Sequence, residues 1–244
     1  MSTGTEPLVR VDGVSKQFAA DHGARVHAVV EASLDVHAGE TVAVVGESGC
    51  GKSTVGRVVL RLLEPTGGEI YLKGTDISKI SRSEVRSYRR EMQMVFQDPY
   101  SSLNPRLTIE QALTEPMAVH GIGDSRGDRR DRAVALLEEV DLESRFLRRY
   151  PHEFSGGQRQ RICVARALAL EPEFIVCDEA VSAMDVSVQA QVLNLLKELQ
   201  SRRALTYIFF SHDLSVVKFM ADTMAVMRTG IIVEQGVSEE IYSN

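Results

Sequence analysis

Short, mainly apolar runs alternate along the chain with segments of helical periodicity. Such runs are typical of strands buried on both faces of a parallel sheet, and they occupy residues 41–45, 92–96, 174–177 and 205–210. Helical periodicity is found at residues 55–63, 159–169 and 187–201. Because the two kinds of segment alternate, the pattern predicts an α/β core with a mainly parallel sheet.

Two further regions surround this core. Residues 8–18 alternate weakly and residues 26–36 fit one or two strands, which predicts a small antiparallel β layer near the N-terminus. Residues 222–227 and 230–234 resemble a closing hairpin, and residues 241–244 are expected to form a tail.

A helical segment interrupts the core pattern. Helices are predicted at residues 109–120 and 129–140, with a Gly/Asp-rich loop at residues 121–127. The chain has no internal repeat and no clean domain boundary, so we expect one domain over residues 1–244. Within it we assign about 1–97 and 170–244 to the core and its β layer, and about 98–169 to an inserted helical subdomain.

Composition excludes several classes of function. The formal charge of −6 gives no basic field for nucleic acid. Cys50, Cys163 and Cys177 are scattered, which argues against cysteine-built metal sites and disulfides and suggests a reducing cytoplasm. No apolar signal core or bilayer-length run is present, so any membrane would be spanned by a partner.

A glycine-rich turn follows the first buried run and precedes a helix, at residues 46–54. Its spacing fits G-x-x-x-x-G-K-[ST], in which backbone N–H groups and the helix N-terminus face phosphate oxygens. The alternative is a chance glycine turn before a helix. In the phosphate-binding interpretation Lys52 bridges β- and γ-phosphates and Ser53 ligates Mg²⁺. The residues of this loop are Gly46, Glu47, Ser48, Gly49, Cys50, Gly51, Lys52, Ser53 and Thr54.

Two carboxylates end the buried run at residues 174–177. The carboxyl ends of parallel strands meet at one edge of a sheet, so Asp178 and Glu179 are expected beside the glycine-rich turn. There Asp178 could hold Mg²⁺ through water, and Glu179 could orient or deprotonate an attacking water. The alternative is an ordinary acidic junction between a strand and a loop.

Four other features are weaker evidence for a functional site when each is taken alone. Gln97 ends a strand and could face a metal or simply be exposed, and His212 follows another strand and could contact a γ-phosphate or be inert. Phe18 could stack on an adenine ring or belong to the core. Ser155 begins a helix with open N–H groups, which indicates either an anion site or an ordinary Ser-capped helix; the motif comprises Phe154, Ser155, Gly156, Gly157 and Gln158.

Taken together and in this order, these motifs resemble the nucleotide-binding subunit of ABC transporters over nearly the whole chain. The resemblance implies a P-loop NTPase (RecA-like) core with an antiparallel β subdomain and an inserted helical subdomain, binding ATP and Mg²⁺. It implies that Phe18 stacks on adenine, that Ser53 and Gln97 hold Mg²⁺, and that Glu179 is the catalytic base. His212 is then the switch histidine, and residues 155–158 are the signature that touches ATP in an opposing subunit.

Within that family, the sequences around residues 46–54, 96–106 and 185–191 are similar to those of dipeptide and oligopeptide importer ATPases. Nickel and glutathione importers share this branch. Ala180 stands where the family usually has Pro, and Met184 replaces the Leu of the segment Ser182-Ala183-Met184-Asp185. Both changes are apolar and are expected to leave the chemistry intact.

The resemblance implies that ATP hydrolysis drives a membrane transporter, most simply a peptide importer. Its partners would be a second ATPase subunit, identical or different, and transmembrane permease subunits, with an external substrate-binding protein acting indirectly. The chain would lie on the cytoplasmic face of the membrane as a peripheral subunit.

Two other classes are weighed against this interpretation. A soluble ABC ATPase of DNA repair would need a long coiled coil, and one of translation would need a second ATPase domain in the chain. A nucleotide-binding scaffold without hydrolysis would be expected to lack Glu179 or Lys52, and both are present.

Overall fold

The computed structural model describes residues 6–20, 24–182 and 184–243. Its central feature is a six-stranded sheet with the strand order β10-β9-β3-β8-β7-β6. Strands β3, β6, β7, β8 and β9 run parallel, and β10 pairs antiparallel with β9 at one edge. The strands are β3 (Thr41–Val45), β6 (Met92–Val95), β7 (Phe174–Asp178), β8 (Thr206–Ser211), β9 (Thr223–Arg228) and β10 (Ile231–Val237).

A separate four-stranded antiparallel sheet has the order β2-β1-β4-β5, as the weak alternation near the N-terminus predicted. The second of the two predicted strands is one continuous strand rather than two. The four strands are β1 (Val9–Ala19), β2 (Arg25–Val36), β4 (Gly67–Leu72) and β5 (Thr75–Asp76).

Five helices belong to the chain segments around the two sheets. They are α1 (Lys52–Val59), α2 (Arg82–Tyr88), α7 (Val186–Arg203), α8 (Leu214–Met220) and α9 (Ser238–Ser243). Helix α1 ends before residue 63, the predicted end, because Arg61 has a left-handed backbone (φ 52°). The buried Arg61 guanidinium donates to the carbonyls of Ile77 and Ile80, which fixes the chain in that turn.

Two of these helices differ from the sequence prediction. The tail predicted at residues 241–244 is wrong over its described part, since residues 238–243 form α9. Helix α8 was not predicted; it is only seven residues long, and Asp213 caps it by accepting from the Ser215 N–H at 2.8 Å.

Four helices fall within residues 98–169. They are α3 (Pro99–Ser102), α4 (Ile109–Val119), α5 (Arg126–Glu139) and α6 (Gly156–Leu168), with 3₁₀ turns at Ser144–Arg148 and Pro151–Glu153. Helix α5 begins three residues before the predicted start because the Ser125 side chain accepts from the Asp128 N–H. None of the helices in the described ranges is long and apolar enough to cross a membrane.

The core lies on both faces of the six-stranded sheet. One cluster joins α4–α7 to the sheet, and another joins the antiparallel layer and α1 to its opposite face. Close packing of α1 requires glycine at position 56, because a Cβ there would lie 2.6 Å from the Phe210 ring. The helix that begins at Lys52 is thereby held directly against β8, with its N-terminus at the carboxyl edge of the sheet.

Candidate active site

The glycine-rich turn joins β3 to α1 and wraps tightly against neighbouring backbone. A Cβ at Gly46 would lie 2.2 Å from the Met227 carbonyl oxygen, and one at Gly51 would lie 2.2 Å from that of Ala28. Gly51 also has φ 111° and leaves the start of α1 without a side-chain cap. Both positions therefore require glycine, and the first N–H groups of α1 are available to an anion.

Lys52 lies buried at the centre of this turn, with only 4% of its surface exposed. Its Nζ donates to the carbonyl oxygens of Gly46 at 2.7 Å and Glu47 at 2.9 Å. The same Nζ lies 3.8 Å from Glu179 Oε1. The ammonium is thus satisfied by its own loop and by one carboxylate.

Ser53 and Asp178 meet although 125 positions separate them in the chain. Ser53 Oγ donates to Asp178 Oδ1 at 2.8 Å, and Asp178 is almost completely buried. Burial raises the pKa of the Asp178 carboxyl, while the Ser53 hydrogen bond acts in the opposite direction. A hydroxyl and a carboxylate are the oxygen donors that Mg²⁺ prefers.

The Glu179 carboxylate lies close to three other predicted site residues, Lys52, Gln97 and His212. Gln97 Nε2 donates to Glu179 Oε2 at 2.9 Å, and His212 Nδ1 lies 3.5 Å from Glu179 Oε1. Glu179 has a left-handed backbone with φ 45°, and its N–H donates to the Phe210 carbonyl at 3.1 Å. Backbone strain of this kind persists where surrounding contacts fix it, so the carboxylate is held in one place against Lys52.

Lys52, Ser53, Gln97 and Glu179 line a crevice of about 210 Å³, which is smaller than most ligand pockets. Sequence reasoning missed Ala28, which lines it, and Ser182, whose hydroxyl donates to the Glu179 carbonyl at 3.0 Å. No side-chain pattern marks Ala28, because it acts through its backbone. Ser182 lies in a motif that was recognised, but nothing in its spacing showed this bond.

The hairpin at the edge of the sheet also supports the glycine-rich turn. The Gly230 N–H donates to the Cys50 carbonyl at 2.8 Å, and the Gly230 carbonyl accepts from the Val30 N–H at 2.8 Å. Gly230 therefore ties the loop to both the hairpin and strand β2.

Phe18 lies near the end of β1 and pairs with Val26. It is 38% exposed, so the alternative that it is a core residue is wrong. Lys16 Nζ lies 5.2 Å from the ring centroid. Phe18 does not line the crevice around Lys52, and its stacking role stays a prediction.

Ser155 caps α6, which confirms the structural part of that prediction. Its hydroxyl accepts from the Gln158 N–H at 3.3 Å, and Gln158 Oε1 accepts from the Ser155 N–H at 3.1 Å. Gly156 faces open space, whereas a Cβ at Gly157 would lie 2.3 Å from Val188 Cγ1. None of these four residues lines the crevice around Lys52. Within one chain, the two predicted anion sites are thus separate.

We predict that Asp178→Asn stabilises the nucleotide-free protein at pH 7. Since the folded-state pKa is raised, the protonated carboxyl is favoured, and its ionisation as pH rises above the ordinary value of 3.8 opposes folding. The amide oxygen can still accept from Ser53. We expect a Tm increase of about 2–4 °C, the change that roughly 1 kcal/mol makes in a domain of this size.

Differential scanning fluorimetry at pH 7 and pH 4 measures this effect. The difference between the variant and the original protein is expected to shrink at pH 4, because the raised pKa of Asp178 favours the protonated carboxyl as pH falls. A variant with a lower Tm than the original protein at pH 7 would contradict the prediction.

Residues 29–182 match the family model described as "ABC transporter". The chain is 48% identical to the oligopeptide transport ATP-binding protein OppF of Bacillus subtilis (strain 168), over 98% of this chain and 79% of the relative. It is 46% identical to the dipeptide transport ATP-binding protein DppF of Lactococcus lactis subsp. cremoris (strain MG1363), over 98% of this chain and 78% of that relative.

A solved structure has the same architecture. The ATP-binding cassette MJ0796, dimeric and bound to ADP and Pi in a post-hydrolysis state, superposes with a TM-score of 0.85 at 30% identity. The match covers 94% of this chain and 98% of the other. The predicted P-loop α/β fold class is therefore confirmed.

Proposed function

This chain belongs to the ABC transporter family, as the resemblance predicted, and we propose that it is the ATP-hydrolysing subunit that powers peptide import. One observation carries the proposal: Lys52, Ser53, Gln97, Asp178 and Glu179 converge at the N-terminus of α1. A phosphate-binding loop, an oxygen pair for a divalent cation and a fixed carboxylate are the parts that phosphoryl transfer to water requires.

In this proposal Lys52 exchanges the Gly46 and Glu47 carbonyls for the β- and γ-phosphates of ATP. The backbone N–H groups of residues 46–54 surround the phosphates, and the Phe18 ring stacks on adenine. Glu179 accepts a proton from the attacking water, and Gln97 and His212 fix the position of Glu179 and the water. The approach of phosphate also separates Lys52 from Glu179, which frees the carboxylate to act as a base.

Ser53, Gln97 and Asp178 are proposed to hold Mg²⁺, with Asp178 acting through water. The cation would supply charge neutralisation between the β- and γ-phosphates. The donor set fits, since it consists of oxygen atoms, and burial disfavours the charge of the Asp178 carboxylate, which a cation would offset. No group of three or more His, Cys, Asp or Glu side chains in the described ranges could hold a metal alone, which is consistent with a cation that arrives with the nucleotide.

A second subunit is proposed to complete the site. The crevice around Lys52 is small, and Ser155, Gly156, Gly157 and Gln158 lie outside it. A two-fold arrangement would place the N-terminus of α6 of one subunit against the γ-phosphate bound by the other. The second subunit is either another copy of this chain or a related ATPase.

The membrane partners are proposed to be permease subunits that contact the groove beyond Gln97. This groove measures about 630 Å³ and is lined by Leu60, Met94, Phe96, Leu107, Pro116 and Val119. Movement of the segment after Gln97 would pass to the permease as the dimer closes and opens. The chain would lie on the cytoplasmic face of the membrane, and an external binding protein would deliver the substrate to the permease.

Peptides are favoured over nickel or glutathione by the names of the relatives, which are oligopeptide and dipeptide transport proteins. A soluble ABC ATPase outside transport is not favoured by any observation. Ala180 is buried and Met184 packs on the core, so both departures from the family pattern occupy apolar surroundings. Ala183 of the same motif lies outside the described residues.

The proposal predicts that Lys52→Ala weakens ATP binding itself. Lys52 supplies a buried point charge for phosphates, and hydrogen bonds to charged groups contribute roughly 1.5–3 kcal/mol, so we expect Kd to rise about 10- to 100-fold. Isothermal titration calorimetry with Mg²⁺-ATP measures the change. Lys79→Ala is the matched control, since that exposed lysine pairs with Asp76 and Glu69. An unchanged Kd for Lys52→Ala would contradict the phosphate-binding role of the loop.

A further inference from the structure

Helix α6 carries a buried glutamine whose amide is only half satisfied. Gln160 is 0% exposed, and its Nε2 donates to the Phe96 carbonyl oxygen at 3.4 Å. Its Oε1 has no hydrogen-bond partner among the residues that the structure describes. A buried amide oxygen without a partner is unfavourable for folding, so a role beyond packing is the simplest reason for this side chain.

The position of Gln160 links two parts of the site. Phe96 directly precedes Gln97, whose side chain donates to Glu179 at 2.9 Å. Gln160 itself lies two residues after Gln158, which forms the capping box with Ser155. One side chain therefore connects the start of α6 to the residue that holds the carboxylate.

Two other side chains of α6 contact the residues that follow Gln97. The Arg159 guanidinium lies 3.8 Å from the centroid of the Tyr100 ring, and Arg166 donates to the Ser102 carbonyl. Residues 96–102 are thus held along α6 at three points. The Gln160 contact is the one nearest to Gln97, and at 3.4 Å it is a long hydrogen bond that can strengthen or break with a small movement.

We propose that Gln160 is a positioning residue for ATP hydrolysis. It holds the Phe96 carbonyl and thereby sets where Gln97 places its amide against Glu179. When α6 moves toward a nucleotide bound by the opposing subunit, the same bond moves the end of β6 with it. The proposal rests on the proposed ATPase function, and it concerns a fully buried residue that acts through Gln97.

The test is Gln160→Met, which replaces the amide with an unbranched apolar side chain of similar length. We expect kcat to fall about tenfold, which is less than the roughly 10²-fold loss that misplacement of a catalytic group can produce. The KM for ATP is expected to stay within about twofold, because the loop at residues 46–54 is untouched. The Tm is expected to stay the same or rise, because the unsatisfied oxygen is removed. Gln160→Leu serves as a second apolar variant if Gln160→Met does not fold.

A double-mutant cycle with Gln97→Ala separates positioning from general damage. If Gln160 acts through Gln97, its substitution lowers kcat in the original protein but has no further effect in Gln97→Ala. Gln191→Leu is the matched control, because Gln191 also contacts α6, through Arg161, but is exposed and has no hydrogen bond to residues 96–97 among the described residues. An unchanged kcat for Gln160→Met, or losses that add in the double variant, would overturn the proposal.

A measurement independent of turnover uses the side-chain amide resonance of Gln97, assigned by its loss in Gln97→Ala. We expect this resonance to shift in Gln160→Met and to stay in place in Gln191→Leu. No shift in Gln160→Met would overturn the positioning role even if the chain hydrolysed no ATP. Absence of ATPase activity in the original protein, with the shift present, would instead contradict the proposed function alone.

Discussion

Glu179→Gln is expected to lower ATP turnover by about 10²-fold or more, the effect of removing a general base. The amide is nearly the same size as the carboxylate, and its oxygen can still accept from Gln97 at the position of Glu179 Oε2. It cannot accept a proton from water. Since the substitution leaves Lys52 and the backbone of its loop in place to bind phosphate, ATP affinity is expected to be retained.

The variant should also accumulate as an ATP-bound dimer, because in the proposed mechanism hydrolysis would reopen the two subunits. Phosphate release measures turnover, and size-exclusion chromatography with ATP detects the dimer. Glu173→Gln is the control, since Glu173 is exposed and pairs with Lys73 away from the site. Turnover at the original rate in Glu179→Gln would eliminate Glu179 as the base.

Ser155→Arg is expected to abolish hydrolysis while leaving ATP binding by the single subunit close to normal. Ser155 is exposed and lies outside the crevice that contains Lys52, so a substitution there does not reach the subunit's own nucleotide. In the proposed dimer the arginine would fill the space that the opposing γ-phosphate needs. Calorimetry with Mg²⁺-ATP and phosphate release together separate binding from turnover.

The substitution also removes a helix cap, which by itself lowers stability by about 1 kcal/mol. Ser125→Arg controls for this loss, because Ser125 caps α5 in the same way and is exposed. Ser125→Arg should lose a similar amount of stability and keep its ATPase activity. If Ser155→Arg hydrolyses ATP at the original rate, the shared-site arrangement is wrong for this protein.

Mixing Ser155→Arg with Lys52→Ala extends this experiment. One site of the mixed dimer combines both lesions, and the other retains an intact loop and an intact α6 N-terminus. Phosphate release is expected to recover partly as the mixing ratio approaches equality. If mixing restores no ATPase activity, the shared-site arrangement is not contradicted, and hydrolysis must then require both sites of the dimer to be intact.

The elements that the sequence predicted best are those with one dominant signal. Strand β3 was predicted with its observed bounds, because Thr41 and four apolar residues lie between polar turns and all five are buried. Helix α8 has too few residues to show a helical period, and α9 lacks an apolar stripe; the first N–H of α9 donates to the distant Asp222 carbonyl at 3.0 Å. Likewise, the end of α1 depends on Arg61 binding carbonyls that lie 16 and 19 positions away.

The contacts in the site also divide into those that the sequence predicts and those that it does not. The meeting of Ser53 with Asp178 was predictable, because a phosphate-loop motif and a strand-end carboxylate have fixed places in a parallel sheet. The contacts of Lys52 with its own loop were not, since backbone carbonyls leave no trace in residue type. The carbonyl of Ala28 beside the loop and the half-satisfied amide of Gln160 are likewise visible only in the folded structure.

The turn at residues 229–230 looks like an ordinary surface hairpin, yet its length is tied to the nucleotide site. Gly230 bonds to Cys50 on one side and to Val30 on the other, and a Cβ at this residue would lie 3.1 Å from the Ala28 carbonyl. Insertions or side chains at this turn would therefore displace the wall against which the phosphate loop rests. In contrast, Gly121 has open space around its Cβ direction, so an insertion in the loop beside it is expected to leave the phosphate loop undisturbed.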